Sequence, residues 1–146
     1  VEALAPLMPR FPGWRAVLVG AARPQHHAFL EALEARLPSV VAVGERPDVE
    51  RWYQGLSILV QPSHSEGFSL ALLEGMASGC CVIAAAQPHY AGLIAHGRTG
   101  FLYPPGDVAA LRGLLEPLLA SPERAHAIGA AAADEARRRF SVAHEA

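Results

Sequence analysis

The chain has 146 residues, of which 51% are hydrophobic and 18% charged, a composition that predicts a folded globular chain and excludes an intrinsically disordered one. Its 12 basic and 14 acidic residues give a formal net charge of −2, so the broad basic surface typical of proteins that bind nucleic acids or anionic membranes is missing. Every basic residue is an arginine, which excludes lysine chemistry such as a Schiff base or a P-loop lysine.

The only two cysteines, Cys80 and Cys81, are adjacent in the sequence, so they cannot close a loop through an ordinary disulfide. No signal peptide is recognisable at the start, and no apolar run approaches the roughly 20 residues that span a bilayer. These features predict a cytoplasmic chain without an integral membrane segment. Residues 1–8 resemble the tail of an amphipathic helix without a start signal, so we expect that the domain is truncated at its N-terminus.

Short apolar runs alternate with stretches of helical spacing along the chain. The predicted strands cover residues 15–20, 40–44, 57–62, 81–84 and 100–103. The predicted helices cover residues 25–36, 49–56, 69–78, 90–95, 108–119 and 121–139, with Asp107 as an N-cap and Ser121-Pro122-Glu123 at the start of the last helix. This alternation predicts one α/β domain over residues 1–146, in which helices cover both faces of a Rossmann-like parallel sheet.

Ligands of such folds bind at the carboxyl ends of the strands, and the loop after the third predicted strand carries the most informative residues. Gly67 permits close approach of the backbone, and the free N–H groups of Phe68, Ser69 and Leu70 at a helix start predict a phosphate site.

Two carboxylates flank this predicted phosphate site. Glu66 precedes it and Glu74 follows within the helix. A carboxylate beside a phosphate is unfavourable unless it binds something else, and sugar hydroxyls suit its acceptor oxygens. The pattern therefore indicates a nucleotide sugar. The competing interpretation is that Ser69 or Glu66 only caps the helix and that Glu74 is a solvated surface residue.

The segment from Glu66 through Gly67-Phe68-Ser69 to Glu74, followed by Met76-Ala77-Ser78-Gly79, resembles the Glu-x7-Glu signature of the retaining glycosyltransferases of family 4, also called group 1. The resemblance covers nearly the whole chain. It extends to Val17-Leu18-Val19-Gly20, Val43-Gly44-Glu45, Val60-Gln61-Pro62-Ser63, Cys81-Val82-Ile83-Ala84 and the segment 97–107. Within the family, residues 25–29, 51–53 and 90–94 are most similar to the lipopolysaccharide core mannosyltransferases.

The resemblance implies that the chain is the C-terminal, donor-binding lobe of a two-lobed GT-B enzyme. Glu66 would be the catalytic residue that contacts the donor sugar near its reacting carbon. The donor sugar, phosphate and ribose would be bound by Gly67, Phe68, Ser69, Leu70 and Glu74, and the base by Glu45, Arg46 and Asp48.

The resemblance also implies a function for the whole enzyme, which would transfer a hexose to a lipopolysaccharide core or another cell-envelope glycan. The donor would be a GDP- or UDP-sugar, with GDP-mannose favoured, and neither a metal nor another cofactor would be needed. The glycan or lipid-linked acceptor would bind an N-terminal lobe that is absent here, so the isolated domain is expected to be inactive. Membrane association of the full enzyme stays open.

Two other classes of protein compete with this interpretation. A non-catalytic Rossmann-like nucleotide-binding module is disfavoured because the first strand leads into Gly20-Ala21-Ala22-Arg23-Pro24 rather than a G-x-G-x-x-G sequence. A phospho-acceptor signalling domain would place an aspartate at the end of a central strand. The predicted strands end instead at Gly20, at Gly44 and at Gln61-Pro62. The segment 86–90 also departs from the family's Gly-Gly-x-Pro-Glu pattern, which leaves the role of that loop open.

Several side chains allow both a structural and a functional interpretation. For the pair His26-His27 we expect a place on the surface rather than in a metal site. His64 lies in the predicted active loop and is either an exposed loop residue or a contact of the phosphate or the acceptor. The aromatic residues Trp52 and Tyr53 are either core residues or stack near a base.

Overall fold

The structure is a computed structural model that describes residues 1–64 and 69–140. The chain divides into two compact units, residues 1–49 and residues 50–146.

The first unit contains a two-stranded parallel sheet. Strands β1 (Ala16–Val19) and β2 (Val40–Gly44) pair from Ala16 opposite Val40 onward, with an irregularity between Leu18 and Val19. Helix α1 (His27–Arg36) connects the two strands and packs against β2.

The core of the first unit forms where α1 meets the sheet. Met8, Leu33 and Val40 are buried together there, surrounded by partly buried apolar residues. The predicted helix tail over residues 1–8 is not a regular helix: successive turns lead into a 3-10 helix at Met8–Arg10. The physical reason is that Pro6 has no N–H group to donate to the helical hydrogen-bond ladder.

The second unit contains a three-stranded parallel sheet in the order β3-β4-β5, formed by Ile58–Gln61, Cys81–Ala85 and Phe101–Tyr103. Its helices are α2 (Val49–Gly55), which starts at the boundary of the units, α3 (Leu70–Ala77), α4 (Val108–Ala120) and α5 (Pro122–Phe140). The predicted parallel α/β architecture is therefore confirmed. The predicted helix over residues 90–95 is wrong, since only a 3-10 helix at Pro88–Tyr90 and a turn occur there.

The central strand β4 is completely buried from Cys81 to Ala85. Helices α3 and α5 both pack against it, so its side chains contact other apolar groups instead of water. A parallel strand between two neighbours reads as a continuous apolar run for this reason. Because β3 and β5 pair with it on either side, β4 fixes where the loops at the carboxyl end of this sheet emerge.

Both ends of α3 are capped. The Ser69 hydroxyl accepts a hydrogen bond from the Leu72 N–H at 3.4 Å, as an N-cap does. At the other end, Gly79 has a φ of 84°, its N–H donates to Met76, and the N–H of Cys80 donates to Gly75. This pair of hydrogen bonds is a Schellman motif, which satisfies the last helical carbonyls and lets the chain turn directly into β4.

The two cysteines are buried where that turn meets β4. Burial raises the pKa of the Cys80 thiol to about 11 and that of the Cys81 thiol to about 12. Cys80 also donates its thiol proton to the Tyr53 carbonyl at 3.3 Å. Both cysteines therefore pack as small apolar side chains, and a buried, protonated thiol is a poor nucleophile.

Helix α5 crosses the turn before β4 at Gly129. A Cβ atom at this position would overlap the Gly79 carbonyl oxygen, so only glycine allows the helix backbone to approach the turn so closely.

We predict that Gly129→Ala lowers the free energy of unfolding by about 2 kcal/mol, because an overlap with a backbone carbonyl forces helix and turn apart. Urea unfolding monitored by circular dichroism measures this change. The control is Gly113→Ala in α4, where a Cβ atom meets nothing within 4 Å and helix propensity predicts a gain of about 0.5 to 1 kcal/mol. Equal effects of the two substitutions would contradict the packing described here.

We also predict that neither thiol of the folded chain reacts with an aromatic disulfide reagent at pH 8, because only the exposed thiolate reacts. Addition of denaturant should release two thiols per chain, detected by absorbance. Fast labelling of either cysteine under native conditions would contradict the burial of Cys80 and Cys81.

Candidate functional site

The N-terminus of α3 is the centre of the predicted site. Of the residues assigned to the donor sugar and phosphate, Glu66, Gly67 and Phe68 lie outside the described residues, whereas Ser69 and Leu70 are described. Ser69 is buried and Leu70 is 64% exposed, so solvent reaches the start of the helix beside Leu70.

Helix geometry leaves the N–H groups at this end without intrahelical acceptors. The Ser69 side chain bonds one of them, that of Leu72, which confirms that Ser69 caps the helix. The first N–H group that donates to a carbonyl of the helix is that of Leu73, which bonds the Ser69 carbonyl. The N–H groups of Ser69, Leu70 and Ala71 come before it and have no acceptor within the helix. Capping by the Ser69 side chain therefore leaves these amide groups for an anion, and the two interpretations of Ser69 are compatible.

Glu74 lies on the same helix, one turn after Leu70. Side chains on a helix lean toward its N-terminus, so the carboxylate projects from α3 toward the end that carries the amide groups. Glu74 is half-buried, and its charge raises the pKa of the Tyr53 phenol. The interpretation of Glu74 as a solvated surface residue is therefore wrong.

Tyr53 lies in the last turn of α2, near enough to Glu74 for the charge of the carboxylate to act on its phenol. Its side chain is only 6% exposed, and burial, followed by the charge of Glu74, raises the pKa of the phenol. The phenol is thus a neutral donor at physiological pH. Of the two interpretations of Tyr53, the structure supports the core residue rather than a surface for stacking a base.

The loops that follow β3 and β4 are joined by hydrogen bonds. Gln87 donates its side-chain amide to the Ser63 carbonyl at 2.8 Å, and Gln61 donates to the Ser63 hydroxyl at 3.1 Å. These contacts hold the start of the loop that leads to the signature. This role of Gln87 was not predicted from the sequence. The available signal was that segment 86–90 departs from the family's Gly-Gly-x-Pro-Glu pattern.

His64 lies at the end of the described part of that loop. It is exposed, and its ring lies beside Gly106, where a Cβ atom would be 3.5 Å from the ring. Helix α4 begins at Val108, two residues after Gly106. Asp107 is its N-cap, as predicted, because the Asp107 carboxylate accepts a hydrogen bond from the Ala110 N–H at 2.9 Å.

The residues predicted to contact the base lie in the first unit, in the loop after β2. Glu45 and Arg46 are exposed, and Arg46 donates to Asp48 over 3.3 Å. Arg46 and Asp48 therefore lie together.

An open cavity of about 350 Å³ lies at the carboxyl ends of β1 and β2. Its lining is mostly apolar and includes Gly20, Ala21, Ala22, His26, Phe29 and Gly44. Sequence reasoning missed this cavity, although the exposed Phe29 beside the loop after β1 is a feature that could have indicated it.

The described ranges contain neither a cluster of metal ligands nor a helix that could span a membrane. Within residues 1–64 and 69–140, no group of three or more His, Cys, Asp or Glu side chains could hold a metal ion. Across the same residues, the helices are too short or too polar to pass through a bilayer.

The sequence model of the family described as "Glycosyl transferases group 1" matches residues 1–121. The chain is also 36% identical over 152 aligned residues to the lipopolysaccharide core biosynthesis mannosyltransferase LpcC of Rhizobium leguminosarum. The alignment covers 100% of the chain and 43% of that protein, so the chain spans less than half the length of this curated relative.

Solved structures show the same fold. The C-terminal domain of the group 1 glycosyl transferase LpcC from Francisella tularensis superposes with a TM-score of 0.84 at 27% identity, over 97% of this chain and 77% of that domain. The Anabaena protein HepE in complex with UDP gives a TM-score of 0.80 at 25% identity, over 95% of this chain and 39% of HepE. The fold is thus that of the Rossmann-like C-terminal lobe of GT-B enzymes, and the chain belongs to the group 1 glycosyl transferases.

Proposed function

We propose that residues 1–146 form the nucleotide-sugar-binding domain of a retaining hexosyltransferase. The observation that carries the proposal is the arrangement of α3, which presents amide groups at its capped N-terminus and, one turn later, the half-buried carboxylate of Glu74. A nucleoside diphosphate has a matching pair of groups, an anionic diphosphate and a ribose diol.

The diphosphate binds the N-terminus of α3 in this proposal. The amide groups of Phe68, Ser69 and Leu70 donate to phosphate oxygens, and the positive end of the helix dipole stabilises their charge. Gly67 permits the phosphate to approach the backbone. The exposed position of Leu70 supports access to this end of the helix.

Glu74 accepts hydrogen bonds from the ribose hydroxyls. A rise of about 1.5 Å per residue separates Leu70 from Glu74 by about 6 Å along the helix axis, of the same order as the separation of diphosphate and ribose diol in a nucleotide. The lean of helical side chains toward the N-terminus shortens this separation.

The donor that we propose is GDP-mannose, and the product a bond to a lipopolysaccharide core or another cell-envelope glycan. The similarity to a lipopolysaccharide core mannosyltransferase over the whole chain supports mannose. The likeness to a structure that binds UDP makes a UDP-sugar the alternative donor. Glu45, Arg46 and Asp48 are the proposed contacts of the base.

The reaction breaks the bond between the anomeric carbon and the diphosphate and forms one to the acceptor oxygen on the same face of the sugar. The leaving diphosphate gains negative charge in the transition state, and preorganised amide groups stabilise this charge most effectively. Glu66 contacts the hydroxyls of the donor sugar near the anomeric carbon. We propose that no metal takes part and that a further lobe binds the acceptor.

Calorimetric titration of the full-length protein with GDP, UDP and ADP tests the proposal. We expect saturable binding of one nucleotide, weakened about 10-fold or more by Glu74→Gln, because a hydrogen bond to a charged group contributes about 1.5 to 3 kcal/mol. The matched control is Glu123→Gln, an exposed glutamate in the first turn of α5, which should leave the affinity unchanged. No nucleotide binding at millimolar concentration, or equal affinities of the two variants, would contradict the proposed site.

A further inference from the structure

The open cavity of the first unit lies at the carboxyl ends of β1 and β2, the edge at which ligands of parallel α/β folds bind. Its volume is about 350 Å³, near the lower end of the roughly 300 to 1,000 Å³ that ligand pockets have. A cavity of this size suits one ring system of a small molecule rather than a whole nucleotide sugar.

Phe29 extends the apolar side of α1 beyond the core of the first unit. It lies four residues before Leu33 and thus on the same side of the helix. Leu33 is buried in the core of this unit, whereas Phe29 is 54% exposed and lines the cavity. Covering an exposed phenyl ring with a ligand removes apolar surface from water, which is favourable. The position of Phe29 therefore favours a ligand with an apolar face.

The ends of both strands are open to the cavity through glycines. The Gly20 N–H donates to the Gly44 carbonyl at 2.9 Å, which joins the two strand ends. Both glycines line the cavity, and a Cβ atom on either would meet nothing within 4 Å. Without side chains at these two positions, a flat ring can approach the backbone closely.

The first turn of α1 is held beside the cavity by a side-chain hydrogen bond. The ring of His27 donates to the Ala22 carbonyl over 3.2 Å, and Ala22 itself lines the cavity. This bond joins the loop after β1 to the helix two residues before Phe29. The backbone that carries Phe29 is thus tied to the loop that follows β1.

The side chains of the cavity decide which part of a ligand it can hold. Among the described residues that line it, only His26 carries polar side-chain atoms, and no arginine, aspartate or glutamate is present. A diphosphate would lack a partner for its charge there, and a sugar would lack partners for its hydroxyl groups. A heteroaromatic ring has two apolar faces and only a few polar atoms at its edge, so it matches this lining.

The loop that follows β2 connects the cavity to the proposed contacts of the base. Gly44 lines the cavity, and Glu45 and Arg46 are the next two residues, both exposed. A ring bound against Gly44 therefore lies next to residues that we propose as contacts of the base.

We propose that the cavity binds the base of the nucleotide and that the Phe29 ring packs against the face of the base. The inference rests on the proposed function, in which the loop after β2 contacts the base. Every base has a π face, so stacking contributes affinity without distinguishing one base from another. Discrimination between bases then falls to hydrogen bonds at the edge of the ring, from Glu45, Arg46 and Asp48.

The test compares a ligand that carries the base with one that lacks it. Binding of a nucleoside diphosphate and of ribose 5-diphosphate is measured by calorimetry on the full-length protein. The nucleotide is whichever of GDP, UDP and ADP binds the wild type most tightly. The dissociation constant of ribose 5-diphosphate divided by that of the nucleotide is the base ratio, which a general loosening of the fold leaves unchanged.

We expect a base ratio of about 30 or more for the wild type, reduced about 10-fold by Phe29→Ala. Phe29→Tyr should keep the ratio, because tyrosine preserves the aromatic face. Phe29→Ala should also keep the preferred nucleotide, since stacking tolerates every base. The matched control is Phe140→Ala, which removes another exposed phenyl ring, at the end of α5, and should leave the base ratio unchanged.

The outcomes separate the inference from the proposal beneath it. Absence of nucleotide binding, or a wild-type base ratio near 1, overturns both. Glu74→Gln should weaken both ligands equally, since both carry the ribose, and a failure of this effect overturns the ribose role of Glu74 while Phe29→Ala still decides the inference. A base ratio that Phe29→Ala leaves at the wild-type value, or that Phe29→Ala and Phe140→Ala reduce equally, overturns the inference alone.

Discussion

The hydrogen bonds at the two ends of α3 determine where the functional groups of the second unit lie. Ser69 caps the first turn with its side chain, so the amide groups at the helix start stay available to a ligand. Gly79 and Cys80 close the other end and lead the chain directly into the buried strand β4. A helix of eight residues is marginal in isolation, and its position therefore depends on these caps and on its packing against β3 and β4.

Much of the fold could be predicted from the sequence because its signals are local. The apolar runs at Val40–Gly44 and Cys81–Ala85 form strands close to the predicted bounds. For Cys81–Ala85 the reason is that a fully buried parallel strand has an almost continuous apolar sequence. Asp107 caps α4 as its residue type indicated. The two wrong predictions are local as well, since both segments were predicted as helices from their spacing. Residues 1–8 form turns because of a proline, and the segment 90–95 forms only the end of a 3-10 helix and a turn.

The candidate site was predicted less completely because its supporting contacts join residues far apart in the chain. Nothing in the sequence around Tyr53 indicates that it is buried near Glu74, and the contact of Gln87 with Ser63 depends on β3 and β4 being neighbours. The cavity at the ends of β1 and β2 depends on the side chains of α1 as well as on both strands. Residue types identify the groups that contact a ligand, whereas the groups that hold them emerge only from packing.

The central claim of this account is that α3 binds both ends of a nucleoside diphosphate, with its N-terminal amide groups on the phosphate and Glu74 on the ribose. A crystal structure of the full-length protein with the nucleoside diphosphate it binds tests this claim most directly. The account predicts phosphate oxygens within hydrogen-bonding distance of the Ser69 or Leu70 amide nitrogen and ribose hydroxyls on the Glu74 carboxylate. A nucleotide bound away from α3, or one whose ribose makes no contact with Glu74, would contradict it.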